Sequence, residues 1–395
     1  MRSRFHNFSE DTIQSWRWLC KRYAAYIPQT LIAPVATLLL IAVSGCVHTR
    51  AFKSRDGRLL PGSIARMETV EIGGIRQSIW FRSTDTSNLP LILLHGGPGI
   101  SEAPLFRHYN GDLERCYLAV YWEQRGAGRS FHRNIPPSSM NLDQFLADLD
   151  EVVELVRRRF NKEKVVLLAH SWGTVLGTIY AYRHPDKVAA YVGTGQIANM
   201  QEGERLSYDF ALGEARRRND RRALRELQKI GPPPHTVKSM LKSRRSVEHF
   251  GGTFHGKLST GKLIWTALKT DEADLTDLVR FGAGNSFSLQ HLWPEFSQID
   301  LESQYREFHV PVFFLLGRYD RVTPADLAER YFSKIDAPYK KLVWFEDSAH
   351  NALYEEPSHF NQVLISDVLP VANQTIDSVA PSPQMATCGQ MAGTD

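Results

Sequence analysis

The sequence predicts an α/β protein built on a mostly parallel, doubly wound sheet with one helical cap inserted into it. Two observations carry this. Short apolar runs bounded by Gly, Pro or charge alternate with segments whose apolar residues recur at helical spacing, a pattern that implies parallel strands buried on both faces by helices. The alternation then stops over 197–305, a stretch rich in Arg, Glu and Lys with no strong strand run, and resumes near Val310.

The elements follow in order. Segment 67–83, METVEIGGIRQSIWFRS, alternates on either side of Gly73-Gly74 and reads as a hairpin. LILLH (91–95), YLAVYW (117–122), VVLLAH (165–170), AAYVGT (189–194), VFFLLG (312–317) and KLVWFE (341–346) are the buried strands. Leu142, Phe145, Leu146, Leu149, Val152, Val153, Val156 and Phe160 mark one face of a helix between the second and third of these. Residues 52–196 and 306–373 thus form two parts of one core. Residues 197–305 form a cap over the carboxyl ends of the strands, where a site is expected. The tail, 374–395, lacks periodicity and is expected to be disordered.

The amino terminus differs from the body. Residues 31–45, LIAPVATLLLIAVSG, follow Lys21 and Arg22 and end at Cys46. The run suits the apolar region of a signal peptide better than a membrane span. Val43-Ser44-Gly45-Cys46 resembles a bacterial lipobox, which marks 1–46 as a signal peptide and anchor segment and implies cleavage before Cys46, lipid attachment at Cys46 and tethering of the protein to an envelope membrane. Val47 after Cys46 points to the outer membrane, facing the periplasm; a start downstream of Met1 would instead leave the protein cytoplasmic.

Charge excludes other classes. Residues 1–45 hold Arg2, Arg4, Arg17, Lys21 and Arg22 against Glu10 and Asp11, and the remaining chain carries 42 basic and 41 acidic residues. A nearly neutral body gives nucleic acid no electrostatic reason to bind. Arg216, Arg217, Arg218, Arg221 and Arg222 are interleaved with acids, as on a solvated helix face. Cys20, Cys46, Cys116 and Cys388 show neither metal-ligand spacing nor a disulfide framework. No metal or organic cofactor is implied.

Chemistry enters at Ser171. VVLLAHSWGTVLG sets it directly after a strand and before a helix, the context of a nucleophile elbow. Gly173 stands two residues after it; Ala169 stands two before, where glycine is usual. A serine needs a base, and the base an orienting acid. Asp320 follows the strand VFFLLG, and His350 follows the next strand, KLVWFE, at the same end of the sheet. The order serine, acid, histidine fits such a fold. Asp347 is the alternative acid. His170 is expected to pack under the elbow; His235, His249, His255 and His291 fall in the cap without distinguishing context. The loop His95-Gly96-Gly97-Pro98-Gly99 can bring backbone N–H groups to a substrate carbonyl; Gly97 is favoured over Gly96, with Trp172 supplying the other donor. A phosphate-binding role is disfavoured because no GK[ST] follows.

HGGPG at 95–99, WEQRGAGRS at 122–130, HSWG at 170–173 and DSAH at 347–350 together resemble the proline iminopeptidase family of α/β-hydrolases. The likeness covers roughly 65–195 and 305–370. It implies an α/β-hydrolase fold and a cofactor-independent hydrolase acting on amino-terminal residues of small peptides. Glu123 stands where that family usually has Asp. In the family, cap carboxylates hold the substrate's α-amine, which makes Glu295 and Glu204 (or Glu202) the positions to test, although surface charges would read the same. Small peptides are therefore the expected substrates, with small acyl esters or amides as the alternative. An inactive hydrolase-fold binding protein is the alternative of another class.

Overall fold

The structure, a computed structural model, describes residues 48–377. Eight strands form one sheet in the order β1-β2-β4-β3-β5-β6-β7-β8. β1 (Ile64–Ile72) and β2 (Ile75–Ser83) make the expected hairpin around Gly73-Gly74. Both glycines have positive φ, which the two-residue turn requires. β2 also pairs antiparallel with β4 (Tyr117–Trp122). The remaining strands, β3 (Leu89–Leu94), β5 (Val165–His170), β6 (Val188–Thr194), β7 (Val312–Gly317) and β8 (Lys340–Phe345), continue in parallel.

β3 to β7 are buried along their whole length, which is why they read as unbroken apolar runs. Alternate side chains serve opposite faces. Ile92 and Leu94 join the core under α2 (Leu142–Phe160) and α3 (Gly173–Arg183). Leu91 and Leu93 join the core under α1 (Ala103–Asn110) and the carboxyl-terminal helices.

The insertion between β6 and β7 carries α4 (Met200–Arg217), α5 (Arg221–Ile230), α6 (Val237–His249), α7 (Thr260–Ala267), α8 (Leu275–Phe296) and α9 (Leu301–Gln304). A bridge between Asn199 and Asp300 closes it at its root. Tyr208, Ala211, Leu227 and Val247 give α4–α6 a small core of their own. Arg217 and Arg218 pair with Glu214 one turn away, on exposed helix surface. The chain returns through α10 (Ala325–Lys334), α11 (Ala352–Glu355), α12 (Pro357–Val363) and α13 (Leu369–Asp377).

Two expectations need correction. The tail boundary at 374 is too early, because α13 runs to Asp377: Ala372 is fully buried against the sheet and Thr375 Oγ1 donates to the Ala189 carbonyl at 3.1 Å. Cysteine spacing gave no sign of a disulfide, yet Cys116 is disulfide-bonded. Cys20, Cys46, Cys388 and the apolar run 31–45, with the lipid-anchor reading, lie outside the described residues. Among the described residues no helix is long and apolar enough to cross a membrane.

Candidate active site

Ser171 occupies the junction of β5 and α3 with φ of 53°, a left-handed conformation that costs a non-glycine residue energy and that the surrounding packing must hold. Its N–H donates to the Thr194 carbonyl at 3.0 Å. Gly173 is required by close approach, since a Cβ there would lie 2.0 Å from the Leu94 carbonyl oxygen. α3 therefore sits directly on β3, with its amino terminus beside the serine.

His350 Nε2 lies 2.9 Å from Ser171 Oγ, and His350 Nδ1 lies 2.9 Å from Asp320 Oδ2. Because the carboxylate can only accept, Nδ1 carries the proton and Nε2 accepts from the serine. Asp320, in the loop after β7, also accepts from the N–H of Val322 at 2.8 Å, the N–H of Thr323 at 3.0 Å and Thr323 Oγ1 at 2.8 Å. Burial opposes ionisation there, but the neighbouring imidazole and these donors hold its carboxyl below the usual carboxylate range. Asp347, the alternative acid, is exposed and makes no bond to the ring.

The glycine loop divides its roles. Gly96 and Gly97 both line the cavity beside Ser171, but Gly96 N–H is engaged by Glu102 Oε2 at 3.1 Å, whereas Gly97 has φ of 123°. His95 braces the loop from beneath, its Nε2 accepting from Gln124 N–H at 3.0 Å. The Trp172 indole donates to Gln124 Oε1 at 2.9 Å and packs edge-on against Phe145 and Phe296.

A pair that sequence reasoning missed lies behind the histidine. His170 does pack under the elbow, but it is charged: Nδ1 meets Glu102 Oε1 at 2.7 Å and Nε2 meets the His350 carbonyl at 3.1 Å. Both partners only accept, so both ring nitrogens must donate. Burial works against the imidazolium, but the Glu102 carboxylate raises its pKa above the ordinary histidine value, and His170 reciprocally keeps Glu102 ionised despite burial. Glu102, through His170, thus joins the glycine loop to the backbone of His350. Only its place just after HGGPG hinted at this.

The WEQRG segment is a brace. Arg125, fully buried, donates to both Asp148 carboxylate oxygens at 2.9 Å and to the Gly73 carbonyl at 2.8 Å. Glu123 accepts from Ser101 Oγ at 2.8 Å and from Arg129 N–H at 2.6 Å, and burial raises its carboxyl pKa.

A cavity of about 520 Å³ lies between core and cap, with Ser171, His350, Gly97, Glu102 and His170 at one end and Met240, Leu263, Leu289, Trp293 and Phe296 among its apolar walls. Tyr354 also lines it, its hydroxyl buried without a hydrogen-bond partner among the described residues. Two expectations fail here. Glu295 faces away and accepts from Leu142 N–H at 2.9 Å, capping α2. Glu204 is neither solvated nor in the lining: it is buried against Arg244, with His235 beside it. Glu202 is likewise outside the lining and pairs with Arg330. None of His235, His249, His255 and His291 reaches the cavity wall. Among the described residues no group of three or more His, Cys, Asp or Glu is placed to hold a metal.

A nucleophile-type turn, a histidine and an acid at adjacent strand ends, and a cap over them define a hydrolase of α/β type. The family model described as alpha/beta hydrolase fold matches residues 90–357, and the chain belongs to that family. Within it the chain is proline iminopeptidase-like. It is 30% identical over 314 residues to a probable aminopeptidase of Bacillus subtilis (strain 168), covering 76% of this chain and 96% of that protein. It is 25% identical over 300 residues to a proline iminopeptidase of Heyndrickxia coagulans, covering 75% and 96%. The solved structure of a proline iminopeptidase-related protein from Thermus thermophilus superposes with a TM-score of 0.59 at 16% identity, covering 78% of this chain and 99% of that one, and shares the fold.

Proposed function

We propose that the protein is a serine aminopeptidase that removes an amino-terminal residue from small peptides through an acyl-enzyme. The observation that carries this is the unbroken chain Asp320–His350–Ser171, with both links at 2.9 Å, opening on the cavity between core and cap. His350 Nε2 takes the proton as Ser171 Oγ bonds the scissile carbonyl carbon. Asp320 holds the ring and stabilises its cation. The N–H groups of Gly97 and Trp172 receive the oxyanion; Gly96 N–H, already given to Glu102, is not free to do so. His350 returns the proton to the departing amine as the C–N bond breaks. Water then attacks the ester by the same steps in reverse.

The amino-terminal preference rests on charge. Glu102, Glu123, Glu248, Glu272, Asp274 and Asp277 line the cavity against Arg129, Arg244 and Arg245. Pairing takes up Arg129 with Asp277, Arg244 with Glu204, His170 with Glu102 and Arg107 with Glu272, which leaves Glu123, Glu248 and Asp274 against Arg245. The excess of carboxylates favours a cationic substrate end such as a free α-amine. The apolar walls favour a second reading, a carboxylesterase or amidase for small acyl groups. Proline and alanine arylamides with free and acetylated amines, set beside short acyl esters, separate the two. Acetylation is expected to cut kcat/KM at least about a hundredfold, the scale of losing a charge-assisted contact of ~3 kcal/mol. Equal kcat/KM for the free-amine and acetylated arylamides would overturn the aminopeptidase reading.

A further inference from the structure

We propose that the outer face of the cap, around α7 and the first turns of α8, is a docking surface for an anionic lipid bilayer. The face is apolar where water should reach it: Trp265 is 61% exposed, Leu275 47%, Leu278 39% and Val279 72%. Leu275 and Val279 stand at i and i+4 on α8 and share one side of the helix with Leu278, which also borders the cavity. Such a cluster on a soluble surface marks an interaction site.

The charges around it identify the partner. Over 257–283 the exposed ionisable residues are Lys257, Lys262, Lys269 and Arg280, all cationic. The acids of the same segment are more enclosed and occupied: Asp271 pairs with Arg50, Glu272 with Arg107, Asp277 with Arg129 and Arg280, and Asp274 caps α8. Lys269 lies over the Trp265 ring, 5.0 Å from its centroid. Exposed apolar side chains with an aromatic among them, bordered by lysine and arginine, are what an anionic bilayer interface selects. A protein partner would not by itself require that every exposed charge be positive.

The course of the chain supports the same partner. His48 N–H donates to the Asp271 carbonyl at 3.3 Å, and Thr49 Oγ1 donates to Glu272 Oε1 at 3.2 Å. The polypeptide therefore enters the described structure on the loop between α7 and α8. The apolar run 31–45 ends three residues before His48 in the sequence. Whatever precedes His48 therefore leaves the described structure beside this face. Ile264, Leu268, Leu278 and Phe281 of the same segment line the cavity, so docking here would turn the cavity wall toward the membrane.

The test uses the full chain carrying Cys46→Ser, which removes any lipid anchor, Val35→Asp and Leu39→Asp, which interrupt the apolar run 31–45, and Trp16→Phe and Trp18→Phe, which leave no tryptophan near that run, with vesicles of phosphatidylglycerol and phosphatidylethanolamine. Trp265→Ser, Leu275→Ser and Val279→Ser are combined; none of the three lines the cavity. Partitioning to vesicles should fall at least about tenfold in the triple variant, with arylamide turnover in solution unchanged. Brominated phosphatidylglycerol should quench part of the emission of the Cys46→Ser protein, and Trp265→Phe should abolish that part. Equal partitioning of both proteins would overturn the proposal, as would emission that brominated lipid leaves untouched. A triple variant that changes only from dimer to monomer in sedimentation would assign the face to a second copy and overturn it equally.

Discussion

At the scale of single residues, the site separates groups that react from groups that hold them. Ser171→Ala or His350→Ala should lower arylamide turnover at least about a thousandfold with the native fold retained, because general-base help is worth ~10²–10⁴ and the nucleophile more; retention of full turnover by either variant would refute the serine mechanism. Glu102→Gln tests the pair behind them. It removes the charge that keeps His170 protonated, and kcat should fall about tenfold to a hundredfold with little change in KM, the effect of a lost charge-assisted bond of ~1.5–3 kcal/mol. Its stability signature has a definite sign. Glu102 is depressed from its ordinary 4.5, so its contribution is complete above that pH and is lost as pH falls through the native value. His170 is raised from 6.5, so its contribution is complete below that pH and is lost as pH rises through the native value. The melting-temperature gap between wild type and Glu102→Gln should thus be widest between pH 4.5 and 6.5. A gap that stays flat from about pH 4 to 9 would show that the pair is not an ion pair.

At the scale of elements, the strands were legible because each is an apolar run that both layers bury, and the elbow because β5, Ser171 and Gly173 are contiguous. Asp320 and His350 were legible for the same reason: each directly follows a recognisable strand. What escaped depends on contacts between distant segments. Glu102 meets His170 from 68 positions away, and Glu204, which reads in the sequence as a surface charge or an amine ligand, is enclosed by Arg244 from 40 positions away. Asp148 interrupts the apolar face of α2, between Phe145 and Leu149, and its partner Arg125 lies in a motif that the sequence offered as a family signature with no stated task. That pair ties the β1–β2 turn, the WEQRG loop and α2 together in a fully buried setting. Asp148→Ala should therefore destabilise by about 3–5 kcal/mol, since it strands an enclosed guanidinium. Arg125→Met with Asp148→Leu should recover much of that loss in denaturant titration. A single variant costing less than about 1 kcal/mol would mean that water reaches Arg125 after all.

At the scale of the molecule, the cap is fastened to the two loops that build the site. α8 supplies Asn285, whose amide donates to the Pro98 carbonyl at 2.7 Å, and Ser288, whose hydroxyl donates to the Gly126 carbonyl at 3.2 Å. Arg129 reaches the other way, holding Asp277 through two bonds, at 2.7 and 3.1 Å, and the Glu272 carbonyl at 2.8 Å. The glycine loop and the cap are therefore hydrogen-bonded to each other on this side, which couples the shape of the cavity to the position of Gly97. Arg129→Ala should loosen that coupling. Because the pair is only partly shielded, its double-mutant cycle with Asp277→Ala should give a coupling of about 1 kcal/mol, below that of an enclosed pair. The functional effect should be larger than the loss of stability: KM for arylamides should rise several-fold, proteolytic cleavage within 257–283 should quicken, and added salt should weaken the wild type toward the variant. If KM, cleavage rate and salt response were all unchanged, Asn285 and Ser288 alone would hold the cap, and Arg129 would serve only to share with Arg280 the charge of Asp277 beside Glu123.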